Sequence, residues 1–251
     1  WERTPGGWIE HPVIEGLTDA RGLAAGDVDA DGDLDLVAGS VSGDQVRWAE
    51  NDPIHRTVSF VETVIDPDFA EAVAAADIDR DGTIDVVGGG SLAWWSRDGS
   101  GWTRRLIDNF AFVPSGGLLA VTVADLDRDG DPDIAGTSFF NVFWWENDGT
   151  PLDEAGGGLG TSWTRHEVSQ GHGQLRGIEI ADLDRDGFGD LVAVDLADGE
   201  VRWWRNDGSP ADGVGGDGNS WTEGVIDDLT EAPRSAVPRD VDREGDVDLL
   251  A

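Results

Sequence analysis

Residues 27–35 read DVDADGDLD, five aspartates at alternate positions around a single glycine. Like charges this close repel one another, so something must offset them. The arrangement recurs as DIDRDGTID (77–85), DLDRDGDPD (125–133), DLDRDGFGD (182–190) and DVDREGDVD (240–248). The starts lie 50, 48, 57 and 58 residues apart, a period that belongs to solenoids, arrays or propeller blades.

Two further elements recur in step with these loops. One carries paired aromatic residues in most copies: VRWAEND (46–52), LAWWSRDG (92–99), VFWWENDG (142–149) and VRWWRNDG (201–208). The other carries a single one: FVETVID (60–66), WTRRLID (102–108), WTRHEVS (163–169) and WTEGVID (221–227). The opening WERTPGGWIEHPVIEG matches the end of the first element plus the second, because Trp1 to Trp8 is the same seven-residue step as Trp95 to Trp102. All twelve tryptophans therefore fall at two repeat positions, which reads as core packing rather than ligand stacking.

Each repeat reads as four short strands. Strand a precedes the aspartate loop, strand b follows it, strand c carries the tryptophan pair and strand d the single tryptophan. Adjacent tryptophans point to opposite faces of a strand, so both faces of strand c must be covered. Radially packed four-stranded blades provide that cover. Helical periodicity is absent, and Gly, Asp and Pro bound the strands. The expected fold is an all-β propeller forming one domain over residues 1–251. The N-terminus supplies the end of strand c plus strand d, and the C-terminus supplies strands a and b. Pairing them closes a five-bladed ring without exposed sheet edges, which is the expectation; the alternative is an excerpt of a longer propeller.

Composition narrows the function. With 39% hydrophobic residues the chain can bury a core despite a net charge of −35. The 17 basic residues are all arginine, and the absence of cysteine excludes disulfides, thiolate nucleophiles and cysteine zinc sites. Such acidity argues against nucleic-acid or anionic-membrane partners, and no apolar run reaches spanning length. It suits a cation-rich partner or a salty medium, where at ~1 M salt the screening length falls to about 3 Å.

The loops follow the pattern D-x-D-x-D-G-x-x-D. A hard cation such as calcium takes six to eight oxygen ligands at about 2.3–2.6 Å, and short carboxylates at positions 1, 3 and 5 converge if the loop curls. The glycine at position 6 permits that turn. Expected side-chain ligands are Asp27, Asp29, Asp31 and Asp35; Asp77, Asp79, Asp81 and Asp85; Asp125, Asp127, Asp129 and Asp133; Asp182, Asp184, Asp186 and Asp190; and Asp240, Asp242, Glu244 and Asp248. Position 7 varies freely, as Asp33, Thr83, Asp131, Phe188 and Asp246, which suits a backbone carbonyl ligand. The loop differs from the EF-hand, whose last ligand is a glutamate at position 12 followed by a helix. About five structural calcium ions are expected. Glu244, longer than aspartate, weakens the fifth site.

The loops together with WWENDG resemble the FG-GAP/VCBS repeat family, whose calcium-loop blades also build the integrin α-subunit head. The resemblance covers essentially the whole chain, although the literal Phe-Gly…Gly-Ala-Pro signature is degenerate. It implies a secreted or surface-displayed propeller used for adhesion, for glycan binding or as a module attached to enzymes, with the calcium ligands on the loop residues named above. Some relatives place similar blades in sugar-acting lyases and dehydratases, a minor alternative.

Six residues before each loop, at the start of strand a, stand Arg21, Glu71, Leu119, Arg176 and Arg234. In a closed ring they surround the channel mouth, with His172 and Gln174 in the adjoining loop. The arginines there read either as ion-paired with Asp19, Glu71 or Glu231, or as an anion site for a uronate, sulfated sugar or carboxylate. No nucleophile elbow, phosphate loop or histidine metal cluster supports catalysis. The expected function is a non-enzymatic, calcium-binding extracellular module for adhesion or binding. The alternatives are a lectin-like binder of acidic glycans and a structural unit of a surface or filament assembly.

Overall fold

The chain opens with a hairpin of β1 (Glu2–Thr4) and β2 (Gly7–Ile9), then builds four antiparallel four-stranded sheets. Blade 1 is β3 (Ala20–Gly26), β4 (Asp35–Ser40), β5 (Gln45–Asn51) and β6 (Phe60–Asp66). Blade 2 is β7 (Val73–Ala76), β8 (Asp85–Gly88), β9 (Leu92–Asp98) and β10 (Gly101–Asp108). Blade 3 is β11 (Ala120–Ala124), β12 (Asp133–Thr137), β13 (Asn141–Asn147) and β14 (Trp163–Gln170). Blade 4 is β15 (Leu175–Ala181), β16 (Asp190–Asp195), β17 (Glu200–Asn206) and β18 (Trp221–Asp228), and a hairpin of β19 (Val237–Arg239) and β20 (Asp248–Leu250) follows. These coordinates are a computed structural model that describes residues 2–42, 45–51, 60–66, 70–99, 101–109, 117–149, 163–209, 221–228 and 235–250.

Within each blade the strands pair in chain order, and the first strands β3, β7, β11, β15 and β19 pack side by side. That close approach needs small residues: a Cβ on Gly22 would lie 2.8 Å from the backbone nitrogen of Val73. The second strands β8, β12 and β16 are buried along their whole length, as strands covered on both faces must be.

The core lies between blades rather than within them. Trp95 packs toward blade 1 with Trp48, Val37 and Val86, while its neighbour Trp94 packs toward blade 3 with Phe143 and Trp145. Trp144 and Trp204 fill the next gap. The expectation that the paired tryptophans serve opposite faces is met. Indole N–H groups add directional ties between blades, from Trp95 to Asp66 at 2.7 Å and from Trp145 to Asp108 at 3.2 Å.

The expected ring closure is not what the structure has. β1 pairs with β2, and β19 with β20, as two separate two-stranded sheets, so four complete blades stand with a half-blade at each end. Among the described residues no strand bridges β1 and β20, so nothing joins the two halves edge to edge. Trp8 accordingly stays 64% exposed, whereas its repeat counterparts Trp163 and Trp221 are buried.

Candidate metal centres

The five aspartate loops share one backbone shape. Position 4, occupied by Ala30, Arg80, Arg128, Arg185 or Arg243, has φ between 58° and 66°, and the glycine at position 6 has φ between 90° and 99°. Two left-handed residues around one aspartate curl the chain so that the carboxylates face inward. The first aspartate accepts the glycine N–H at 2.9–3.1 Å. The aspartate at position 3 accepts the N–H of position 5 at 3.0–3.3 Å. In the first four loops position 5 accepts the N–H of position 7 at 2.8–3.1 Å. The sequence indicates the glycine turn; it does not reveal that a residue with a Cβ occupies the left-handed region at position 4.

The aspartate at position 9 has a further task. Its Oδ2 accepts the N–H of position 2, that is Val28, Ile78, Leu126, Leu183 or Val241, at 2.8–3.1 Å. In blades 1, 3 and 4 its Oδ1 accepts the backbone N–H of Asn51, Asn147 and Asn206 at 2.7, 2.9 and 2.8 Å. The same asparagines donate their side-chain amides to loop carbonyls, Leu34, Pro132 and Gly189 among them. This clamp from the end of strand c went unread in the sequence, although the signal was there in the repeated Asn of WAEND, WWEND and WWRND. In blade 2 the position is Arg97, and Asp85 Oδ1 is left without a partner.

In every loop three carboxylates each bring one oxygen within 4.8 Å of the others: Asp27, Asp29 and Asp31 in the first, and positions 1, 3 and 9 in the rest. Burial pushes the Asp85 and Asp133 carboxyls up to about 8, and neighbouring aspartates add to the rise. Burial likewise raises Asp29, Asp79, Asp127 and Asp190. Buried oxygens of Asp33, Asp77, Asp85 and Asp182 have no hydrogen-bond partner. Unpaired buried carboxylate oxygens are costly, and a hard divalent cation is the group an all-oxygen donor set fits. At position 7 the Asp131 side chain turns away to pair with Arg80 of the preceding loop, which leaves its backbone carbonyl as the donor it can offer.

The channel-mouth residues separate. A cavity of about 300 Å³ lies among the first strands, lined by Arg21, Glu71, Leu119 and, in blade 4, Gly177 to Glu179. Arg21 is tied to Asp19 at 3.3 Å and to Glu71. Arg176 does not line the cavity: its guanidinium lies 4.7 Å over the Phe139 ring. Arg234 lies outside the described residues. His172 is buried edge-on to Trp204 with Nε2 2.8 Å from Ser169 Oγ, and burial lowers its pKa. Counting back from each loop places a backbone position and not the direction of its side chain, so it could not foresee this dispersal.

Residues 27–88 match the FG-GAP-like repeat model. No curated protein matches the chain in sequence. Among solved structures, a lectin of Agrocybe aegerita that recognises non-reducing terminal N-acetylglucosamine matches with TM-score 0.50 and 17% identity over 81% of this chain and 51% of that one. The V. cholerae biofilm matrix protein Bap1 matches with TM-score 0.44 and 16% identity over 74% of this chain and 26% of that one. The chain thus spans about half the length of the lectin, and at this identity the likeness is one of fold.

Proposed function

We propose that this chain, whose residues 27–88 match the FG-GAP-like repeat model and whose strands form propeller blades, is a calcium-stabilised, non-catalytic binding module that works outside the cell. The observation that carries this reading is the set of five aspartate loops in register, each drawing three carboxylates within 4.8 Å. Calcium, when bound, supplies positive charge to the converging carboxylates, which in loop 4 Arg205 also supplies to Asp184 and Asp186. The carboxylates at positions 1, 3 and 5, the carbonyl at position 7 and the aspartate at position 9 would hold it. Repetition favours a structural role, because five equivalent sites spread over successive blades do not form one reaction centre. Extracellular modules bind calcium at roughly 10⁻⁴–10⁻³ M, a range met outside cells, and the net charge of −35 suits a salty medium.

Thermal unfolding in calcium and in excess chelator tests this, with calorimetry counting ions. One site saturated at 100 times its Kd adds about 2.7 kcal/mol, or roughly 5–10 °C in a chain of this size. A melt that ignores the chelator overturns the reading.

Glycan recognition is the second reading, favoured by a fold shared with a lectin and by the polar cavity beside Arg21 and Glu71. A glycan array with and without chelator, repeated on Arg21→Ala, tests it. Silence from folded protein returns the weight to protein adhesion or a structural unit.

A further inference from the structure

In loops 2 to 4 the arginine at position 4 reaches from its own loop to position 7 of the next, and in loops 2 and 3 to position 6 as well. Arg80 Nη1 donates to the Gly130 carbonyl at 2.8 Å, and Arg80 pairs with the Asp131 carboxylate. Arg128 lies 4.3 Å over the Phe188 ring and so close to Gly187 that a Cβ there would meet Nη2 at 2.7 Å. Arg185 Nη2 stands 3.6 Å from Asp246. The three joints differ chemically, being a fork, a cation–π contact and an exposed ion pair, yet they connect the same two positions in the same direction. Loop 1 carries Ala30 at position 4 and has no such arm.

Each arginine sits between two of the proposed ligands, at positions 3 and 5, with its backbone held in the left-handed region. An ion that fixes those two carboxylates also fixes the base of the arm. The far end of the arm rests on the residue whose carbonyl is a proposed ligand of the next ion. Ordering one loop therefore removes part of the ordering cost of its neighbour, and the effect is reciprocal. We propose that Arg80, Arg128 and Arg185 couple the loops, so that loops 2 to 5 take up calcium cooperatively while loop 1 stands outside the series. This inference rests on the calcium reading above.

Calcium titration of the ion-free chain by calorimetry tests it, with circular dichroism to confirm folding. Wild type is expected to bind more steeply than independent sites allow. Arg80→Gln is expected to bind the same number of ions with reduced steepness and a midpoint raised about two- to fivefold. Arg80→Lys, which keeps charge but loses the fork, falls between. Arg185→Gln changes less, since both partners are more than half exposed. Should Arg80→Gln fail to fold, Arg80→Lys and Arg185→Gln carry the comparison. A wild-type isotherm of independent sites, or unchanged steepness in the Arg80 variants, overturns the coupling and leaves calcium binding intact. Absence of any bound ion removes the calcium reading itself.

Discussion

Loop 3 (125–133) and loop 5 (240–248) fold the same motif in different surroundings. Their left-handed residues agree closely, with φ of 64° and 97° at Arg128 and Gly130 against 66° and 90° at Arg243 and Gly245. Around that shared turn the two diverge. Asp133 is fully buried and accepts N–H bonds from both Leu126 and Asn147, and Arg80 grips the loop from the blade before. Asp248 is only half-buried, accepts from Val241, and residues 240–246 are exposed throughout. The aspartate pattern thus sets the turn by itself. Burial and closure come from strand c and from the blade that follows, which loop 5 lacks among the described residues; from the blade before, it has the exposed Arg185–Asp246 pair.

That contrast can be broken most directly at position 9. Asp133→Ala strips the acceptor from two buried backbone N–H groups at about 1–3 kcal/mol each, so chemical denaturation should report a loss of about 2–6 kcal/mol. Asp248→Ala should stay within about 1 kcal/mol; equal losses would show that surroundings do not matter. Next in size is Asn147→Ala, which removes the hydrogen bond its side-chain amide donates to the Pro132 carbonyl and the acceptor for Gly149 N–H. A loss of about 1–2 kcal/mol is expected, and a neutral variant would confine the strand c clamp to the backbone N–H of Asn147. The smallest effect sharpens loop 5 alone. Glu244→Asp restores the reach of the other loops and should tighten one calcium site by about threefold, read by calorimetry, with little change in melting temperature.

Fold and loops were legible because their signals repeat inside one chain. Position 9 is aspartate five times and position 7 is anything, so the residues themselves separated side chain from backbone roles. The clamp escaped because its donor is a backbone N–H, which no residue identity advertises, even though the asparagine beside it recurs. The channel mouth escaped for another reason. Alignment by spacing places a backbone and not a side chain: β3 shifts register at Arg21 as β15 does beside Arg176, yet Arg21 stays at the cavity while Arg176 lies over Phe139. Ring closure failed as an expectation because matching half-blades say which strands belong together, not whether the chain between them suffices to bring their edges into hydrogen-bonding distance.

Blade 2 carries Arg97 where three other blades have asparagine, and Asp85 Oδ1 goes without the backbone donor that its counterparts hold. The arginine instead spreads its guanidinium 4.5 Å over Trp48 of blade 1. One blade has therefore exchanged an internal latch for a grip on its neighbour. In amide exchange, the loop at 77–85 should open independently of the sheet beneath it, while the seam between blades 1 and 2 stays shut.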